Sequence, residues 1–120
     1  MAITDADLKP LTDLTGFICG AIYSGEGIPM AYIGKSNIDK EEFAGYAIQL
    51  YKRAVDFSNG LSVGSPEFVE IHTDEVIFVH ICIIPGVAAV GVMIDKEKGT
   101  VGLARFKLRQ IAAKTKTELA

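Results

Sequence analysis

The chain of 120 residues is 49% hydrophobic and 22% charged, which is the composition of a folded globular protein and excludes a disordered one. A formal net charge of −3 is too small to indicate a nucleic-acid-binding protein, although the charge is uneven, with −7 before Asp95 and +4 from Asp95 onward. A chain of this length buries roughly two-thirds of its unfolded surface as one unit, so we expect a single domain over residues 1–120.

Apolar periodicity and turn residues divide the chain into helices and strands. In chain order we predict a short amphipathic helix over residues 4–14, strands over 17–23 and 28–33, a loop over 34–38, a long helix over 39–58, strands over 67–72, 76–84 and 87–94, and a last helix over 101–119. Pro29 predicts an edge strand or a bulge, because proline has no N–H to donate to a sheet.

The helix ends carry their own signals. Thr4 is expected to cap the first helix and Gly16 to end it. Asp39, followed by Glu42 three residues later, is a capping-box-like start for the long helix, and Asn59–Gly60 is expected to stop it.

The strand over residues 76–84 sets the fold class. It is apolar on both faces except for His80, so helices are needed on both sides of the sheet. Because the connections between strands are short, we predict an antiparallel sheet in an α+β fold with the order αββαβββα.

The long helix over residues 39–58 has too much apolar surface for one contact. At 100° per residue its apolar side chains cover about 200°, whereas an ordinary one-sided surface helix needs ~100°. We predict that one flank covers the sheet and the other meets a second copy of the chain, with a third layer of the same chain as the alternative. The two flanks lie on either side of Phe43. One flank consists of Ala44, Ala47, Ile48, Tyr51, Ala54 and Val55. The other flank consists of Tyr46, Leu50 and Phe57.

Groups that could support catalysis do not converge. His80 lies in an apolar run, where we expect a hydrogen-bonded core residue, and His72 lies beside Glu70 by strand alternation. There is no phosphate-binding glycine loop and no nucleophile elbow, and Gly25 and Gly27 join two strands. We therefore predict no catalytic, cofactor-binding or metal-binding residues and no enzymatic activity.

Two surfaces remain as candidates for binding. The basic side of the last helix suits phosphates or an acidic partner, or is simply solvated; without interleaved aromatic residues it does not predict nucleic-acid binding. If the strand over residues 67–72 ends the sheet, its unpaired backbone can pair with a second copy. It follows the long helix directly, so both could form one isologous patch.

Two further features bear on the location of the protein. The cysteines, Cys19 and Cys82, lie in apolar stretches without the spacing of a metal or redox pair, so we expect buried, reduced thiols. The first residues do not resemble a secretory signal, and the longest apolar run is too short to span a bilayer. We expect a cytoplasmic protein without a membrane span.

Four stretches carry a resemblance to a known family. From residue 4 to residue 116 the chain resembles the roadblock family, named for a dynein light chain, and departs from it at Pro10 and His80. The stretches are the first strand (residues 16–23), the glycine turn with the returning strand (25–31), the alanine-rich helix start (42–47) and the glycine-led start of the last helix (99–105).

The resemblance implies a five-stranded antiparallel sheet in a roadblock/profilin-like sandwich, with the middle helix on one face and the terminal helices on the other. It also implies dimers formed through the middle helix and the third strand, which agrees with the breadth of that helix. Family members are non-enzymatic adaptors in dynein or lysosomal scaffolds, or regulators of small Ras-like GTPases. In bacterial members a homodimer promotes GTP hydrolysis by its partner, but no arginine here can be assigned as a finger.

Our first hypothesis is therefore a homodimeric cytoplasmic adaptor that binds and regulates a small Ras-like GTPase or scaffolds a larger complex. The alternative is a small-molecule sensory module whose pocket is anchored by Tyr32 and His80. The residues predicted for the dimer interface are Phe43, Tyr46, Ala47, Leu50, Ala54, Phe57, Phe68, Glu70, Ile71 and His72.

Overall fold

The computed structural model describes residues 2–35 and 37–119. The elements are a 3-10 helix (Asp5–Asp13), β1 (Phe17–Ser24), β2 (Pro29–Gly34), α1 (Lys40–Leu61), β3 (Phe68–His72), β4 (Val76–Ile84), β5 (Ala88–Asp95) and α2 (Val101–Leu119). The predicted element order and the α+β class are confirmed. Residue 36, inside the predicted loop, lies outside the described residues.

The five strands form one antiparallel sheet in the order β2-β1-β5-β4-β3. The strand predicted over residues 67–72, now β3, is therefore an edge strand, and β2 is the other edge. Both expectations for Pro29 are confirmed, because β2 is an edge strand and its register with β1 shifts where Pro29 faces Tyr23.

The N-terminal helix and α2 cover one face of the sheet. The sequence predicted an amphipathic helix over residues 4–14, and the observed segment is a 3-10 helix. Its buried leucines, Leu8 and Leu11, and buried Leu14 directly after it are spaced by three residues, which suits a helix with three residues per turn.

Helix α1 covers the opposite face and begins as predicted. The Asp39 carboxylate accepts a hydrogen bond from the Glu42 backbone N–H at 3.1 Å. The predicted stop at Asn59–Gly60 was wrong, since the helix continues to Leu61. Ser62 ends it with φ 54°, and the Val63 N–H donates back to the Ser58 carbonyl at 3.1 Å, which forms a Schellman-type end.

The core beneath α1 differs from the core on the other face. It holds small residues and aromatic rings, whereas the α2 side is filled by leucine, isoleucine and valine. The β1–β2 turn reaches α1 at Gly45: a Cβ on Gly27 (φ 82°) would lie 3.3 Å from the Gly45 Cα. Within the described residues, no helix is long and apolar enough to cross a bilayer.

The cap of α1 gives a first test of this description. We expect Asp39→Ala to lower the free energy of unfolding by about 1 kcal/mol, because the Glu42 N–H loses its acceptor. Asp39→Ser keeps an acceptor and should stay near wild type. Urea unfolding at fixed protein concentration measures both, and equal stability of the two variants would contradict the assigned cap.

Candidate functional site

Helix α1 presents a stripe of apolar side chains that its own chain leaves uncovered. Tyr46, Phe57 and Leu61 are 67%, 68% and 59% exposed, and Leu50 is half-buried beside them. With half-buried Ala54, these residues recur every three or four positions, so they share one flank of the helix. Ile71 of β3 is also exposed and borders the same groove as Tyr46 and Leu50. We call these six residues the α1–β3 patch.

Two residues of the predicted interface belong to the core of their own chain. Phe43 and Ala47 are 6% and 4% exposed and pack against the sheet. The breadth of the helix indicated surplus apolar surface but not which part the sheet would cover. Leu61 was missed because the predicted helix ended three residues too early.

Strand β3 divides its side chains between the two faces of the sheet. Phe68 packs into the core on the α2 side, and Glu70 contacts α2. By alternation His72 shares their face, while Ile71 faces α1. The predicted set for β3 therefore mixes two faces, and only Ile71 of that set adjoins the exposed flank of α1.

The α2 side of β3 is held by charged groups. The Arg105 guanidinium donates to both carboxylate oxygens of Glu70, with Nη2 to Oε1 at 2.8 Å, and His72 Nε2 lies 3.1 Å from the same Oε1. The Arg105 contact holds the pKa of Glu70 below its usual value. Arg109 pairs with Glu67. Two of the basic side chains of the last helix, Arg105 and Arg109, thus form ion pairs with glutamates of the same chain.

The backbone of β3 has an open edge. The Thr73 N–H donates to the Val76 carbonyl across the β3–β4 turn at 2.9 Å. Hydrogen-bonded and non-hydrogen-bonded pairs alternate from that point, so the N–H and C=O groups of Phe68, Glu70 and His72 point away from β4. The edge can therefore accept another strand in antiparallel pairing.

A groove of about 460 Å³ lies between the first half of α1 and the β3–β4 end of the sheet. Its walls are apolar and include Tyr46, Leu50 and Ile71, while Asp39 and Glu42 stand at one end. This groove joins the exposed flank of α1 to β3 and makes the α1–β3 patch one continuous surface.

A buried polar contact lies beneath α1. His80 is 1% exposed, and its Nδ1 is hydrogen-bonded to the Tyr23 hydroxyl at 2.6 Å, which confirms the prediction of a hydrogen-bonded core histidine. Tyr23 reaches it from β1 across Gly91 of β5, where a Cβ would lie 2.5 Å from the Tyr23 oxygen. The His80 ring also stacks on Tyr51 of α1 at 4.9 Å between centroids. Sequence reasoning did not foresee this cluster.

Burial shifts the proton equilibria of this cluster. It lowers the pKa of His80 from 6.5 to about 4, and it raises the pKa of Tyr23 well above 10. Both side chains are therefore neutral at neutral pH, and His80 Nε2 has no hydrogen-bond partner among the described residues. Through the stacking of Tyr51 on His80, the cluster helps to fix the position of α1 on the sheet.

The predicted ligand anchors do not come together. The Tyr32 hydroxyl donates to the Ile38 carbonyl at 3.0 Å, and neither Tyr32 nor His80 lines the 460 Å³ groove. Both cysteines are free thiols, Cys19 buried and Cys82 half-buried. In the described part of the chain, no three His, Cys, Asp or Glu side chains are grouped to hold a metal ion.

Comparison with solved structures shows which known fold this architecture has. A Roadblock/LC7 domain from Streptomyces avermitilis superimposes with a TM-score of 0.88 at 12% identity, covering 99% of this chain and 98% of that one. The chain has the roadblock fold. Gliding protein MglB from Thermus thermophilus shares it (TM-score 0.81, 11% identity, 96% and 88% covered), and profilin II of Acanthamoeba castellanii is more distant (0.56, 13%, 88% and 89%).

The likeness is one of structure alone. No protein-family model matches the sequence, and no curated protein matches it.

The buried histidine predicts a pH dependence of stability. Because the pKa of His80 is lower in the folded state, its contribution is fully present above pH 6.5 and is lost as pH falls toward about 4. A shift of this size corresponds to about 3 kcal/mol. His80→Asn offers Tyr23 an acceptor that does not titrate, so the stability difference between wild type and variant should shrink or reverse as pH falls from 6.5 to 4.

Denaturant unfolding of both proteins across this pH range measures the effect. Carboxylates titrate in both proteins and cancel in the difference. A difference that is constant over the range would contradict a neutral His80 in the folded state.

Proposed function

We propose that the protein is a non-enzymatic, homodimeric adaptor of the cytoplasm that binds and regulates a small Ras-like GTPase. The observation that carries the proposal is the α1–β3 patch, an uncovered apolar helix flank beside an open strand edge. Exposed patches of this kind mark protein interfaces. The GTPase comes from the resemblance to the roadblock family, whose members include regulators of such GTPases.

The patch is suited to a second copy of itself. Tyr46 and Leu50 lie toward one end of the stripe on α1, Phe57 and Leu61 toward the other, and small Ala54 lies between them. In an antiparallel helix pair related by a two-fold axis near Ala54, the Leu50 and Phe57 side chains of the two copies come together. The small central residue permits a close approach of the two helices, and the large ones fill the space beside it.

The strand edge supports the same axis. Outward backbone groups on β3 pair antiparallel with those of a second β3, which is the direction that a two-fold axis requires. The Glu70–Arg105 and Glu67–Arg109 pairs neutralise charge on the α2 side of this edge. The two sheets would join into one, and the apolar flanks of the two α1 helices would cover each other.

The adaptor role follows from what the surface offers. The Tyr23–His80 pair is buried and neutral, and the charged groups near β3 are engaged with each other, so the proposed site is a binding surface without reactive groups. We propose that the dimer positions its partner, and that any effect on GTP hydrolysis acts through the residues of the GTPase.

The dimer is tested by a charge at the centre of the patch. Leu50→Glu should give a monomer, because pairing would bury an uncompensated carboxylate at a cost of several kcal/mol. Gln49→Glu introduces the same charge on the adjacent exposed position outside the patch and should leave the dimer intact. Light scattering gives the mass of each protein. Tyr46→Glu repeats the test if Leu50→Glu is insoluble, and soluble variants that keep the wild-type dimer mass would contradict the interface.

The partner is tested with purified small Ras-like GTPases, each loaded with GDP or with a non-hydrolysable GTP analogue. We expect the wild type and Gln49→Glu to bind one of them in one nucleotide state, and Leu50→Glu to lose binding with the dimer. Single-turnover GTP hydrolysis then separates stimulation from tethering. Absence of binding in both nucleotide states would refute the GTPase assignment while leaving the dimer intact.

A further inference from the structure

A second groove lies on the flank of α1 that faces away from the α1–β3 patch. It has a volume of about 320 Å³ and separates the second half of α1 from the β4–β5 hairpin. We call it the hairpin groove, and we propose that it binds a small, flat, uncharged aromatic molecule. Its volume is at the lower end of the ~300–1,000 Å³ of ligand pockets.

The groove exists because the sheet side carries small residues. Ala88, Ala89 and Gly86 form that wall, while Ile48 and Val55 face it from the helix. A larger side chain at Ala89 would let helix and hairpin meet, because Ala89 faces α1 whereas the Ala88 side chain lies in the core on the α2 side. The space that the small residues leave is mostly apolar, which favours a ligand with little polar surface.

One wall of the groove is aromatic. Tyr51 lines the groove, and its ring stacks on the imidazole of His80, which in turn stacks on Tyr23 at 5.6 Å between centroids. A flat ring in the groove gains an aromatic neighbour that is already held in place, and offset or edge contacts between rings add about 1 kcal/mol. This contact favours a planar ligand over a saturated one of equal size.

The polar groups of the groove favour an uncharged ligand. Lys52 and Asp56 stand at its rim four residues apart on α1, so the rim carries one charge of each sign and no net charge. Burial raises the pKa of Tyr51 to about 12, so its phenol is neutral at neutral pH, and the Cys82 thiol lies 4.0 Å from the Ala88 carbonyl oxygen.

The proposed dimer leaves the hairpin groove open. On the helical wheel, the groove residues of α1 lie roughly 160° from the centre of the α1–β3 patch. Binding in the groove is therefore independent of the adaptor function and can be measured in the dimer or in the Leu50→Glu monomer.

Indole is a suitable flat, neutral probe. Titration into ¹⁵N-labelled full-length protein should shift the amide signals of Gly86, Ala88 and Ala89 with saturation, and it should slow alkylation of Cys82. Buried Cys19, whose pKa is raised to about 11 by burial, stays unreactive and serves as the internal reference. Cyclohexanol, of similar size but not flat, should bind about fivefold more weakly, which is the loss that corresponds to the aromatic contact.

A matched pair of variants locates the binding. Val55→Phe fills the groove and should weaken indole binding by about tenfold or more. Val87→Phe makes the same change at an exposed hairpin position that does not line the groove, and it should bind like wild type. If Val55→Phe fails to fold, Val55→Ile is the smaller filling variant.

Three outcomes would overturn the proposal. The first is an absence of saturable shifts at the groove, and the second is equal binding by the Val55 and Val87 variants. Equal affinity for indole and cyclohexanol is the third, since it would refute the aromatic class. None of these results bears on the dimer or on the GTPase.

Discussion

The structure depends on how helix α1 distributes its apolar surface. A helix of 22 residues with apolar side chains around half its circumference cannot hide them all against one sheet. Phe43 and Ala47 are covered, whereas Tyr46 and Phe57 on the neighbouring flank are not. The core therefore needs only part of the helix, and the remainder is available for contacts outside the chain.

The two faces of the sheet account for this division. On the α2 side, branched side chains fill the space beneath two helices. On the α1 side, residues such as Ala21, Ala89 and Gly91 leave room that Tyr23, Phe78 and His80 occupy only in part. The single helix over this face packs on this core and stacks Tyr51 on His80, whose ring is fixed by its hydrogen bond to Tyr23, and the helix has a groove on each flank.

Elements with one dominant signal were predictable from the sequence. β4 and α2 have the predicted bounds, because an unbroken apolar run and a sustained helical stripe have few competing interpretations. The 3-10 helix and the end of α1 were harder to predict from the sequence. Three-residue spacing resembles an amphipathic α-helix over so short a stretch, and Asn59–Gly60 is a stop signal that the Ser62 cap overrides.

The identity of the exposed side chains was harder to predict than the presence of surplus apolar surface on α1. The breadth of α1 correctly indicated surplus surface, but which flank meets the sheet depends on how the helix crosses it. Alternation in β3 separates Glu70 from Ile71, yet only the position of α2 shows that Glu70 faces Arg105. The Tyr23–His80 contact spans three strands, so it depends on strand order and on a glycine between the two side chains.

The two edges of the sheet differ in a way that limits assembly. At β2, the Asp5 carboxylate accepts the Tyr32 backbone N–H at 2.9 Å, and Pro29 and a register shift disturb the start of the strand. A carboxylate and a proline at a strand edge oppose the addition of another strand. At β3, by contrast, the outward backbone groups lie beside an apolar flank that also lacks cover. If two copies pair through β3, as we propose, they use the open edge of each copy and leave only the protected β2 edges at the ends. A sheet built this way stops at two copies, because no further edge of the same kind remains to extend it.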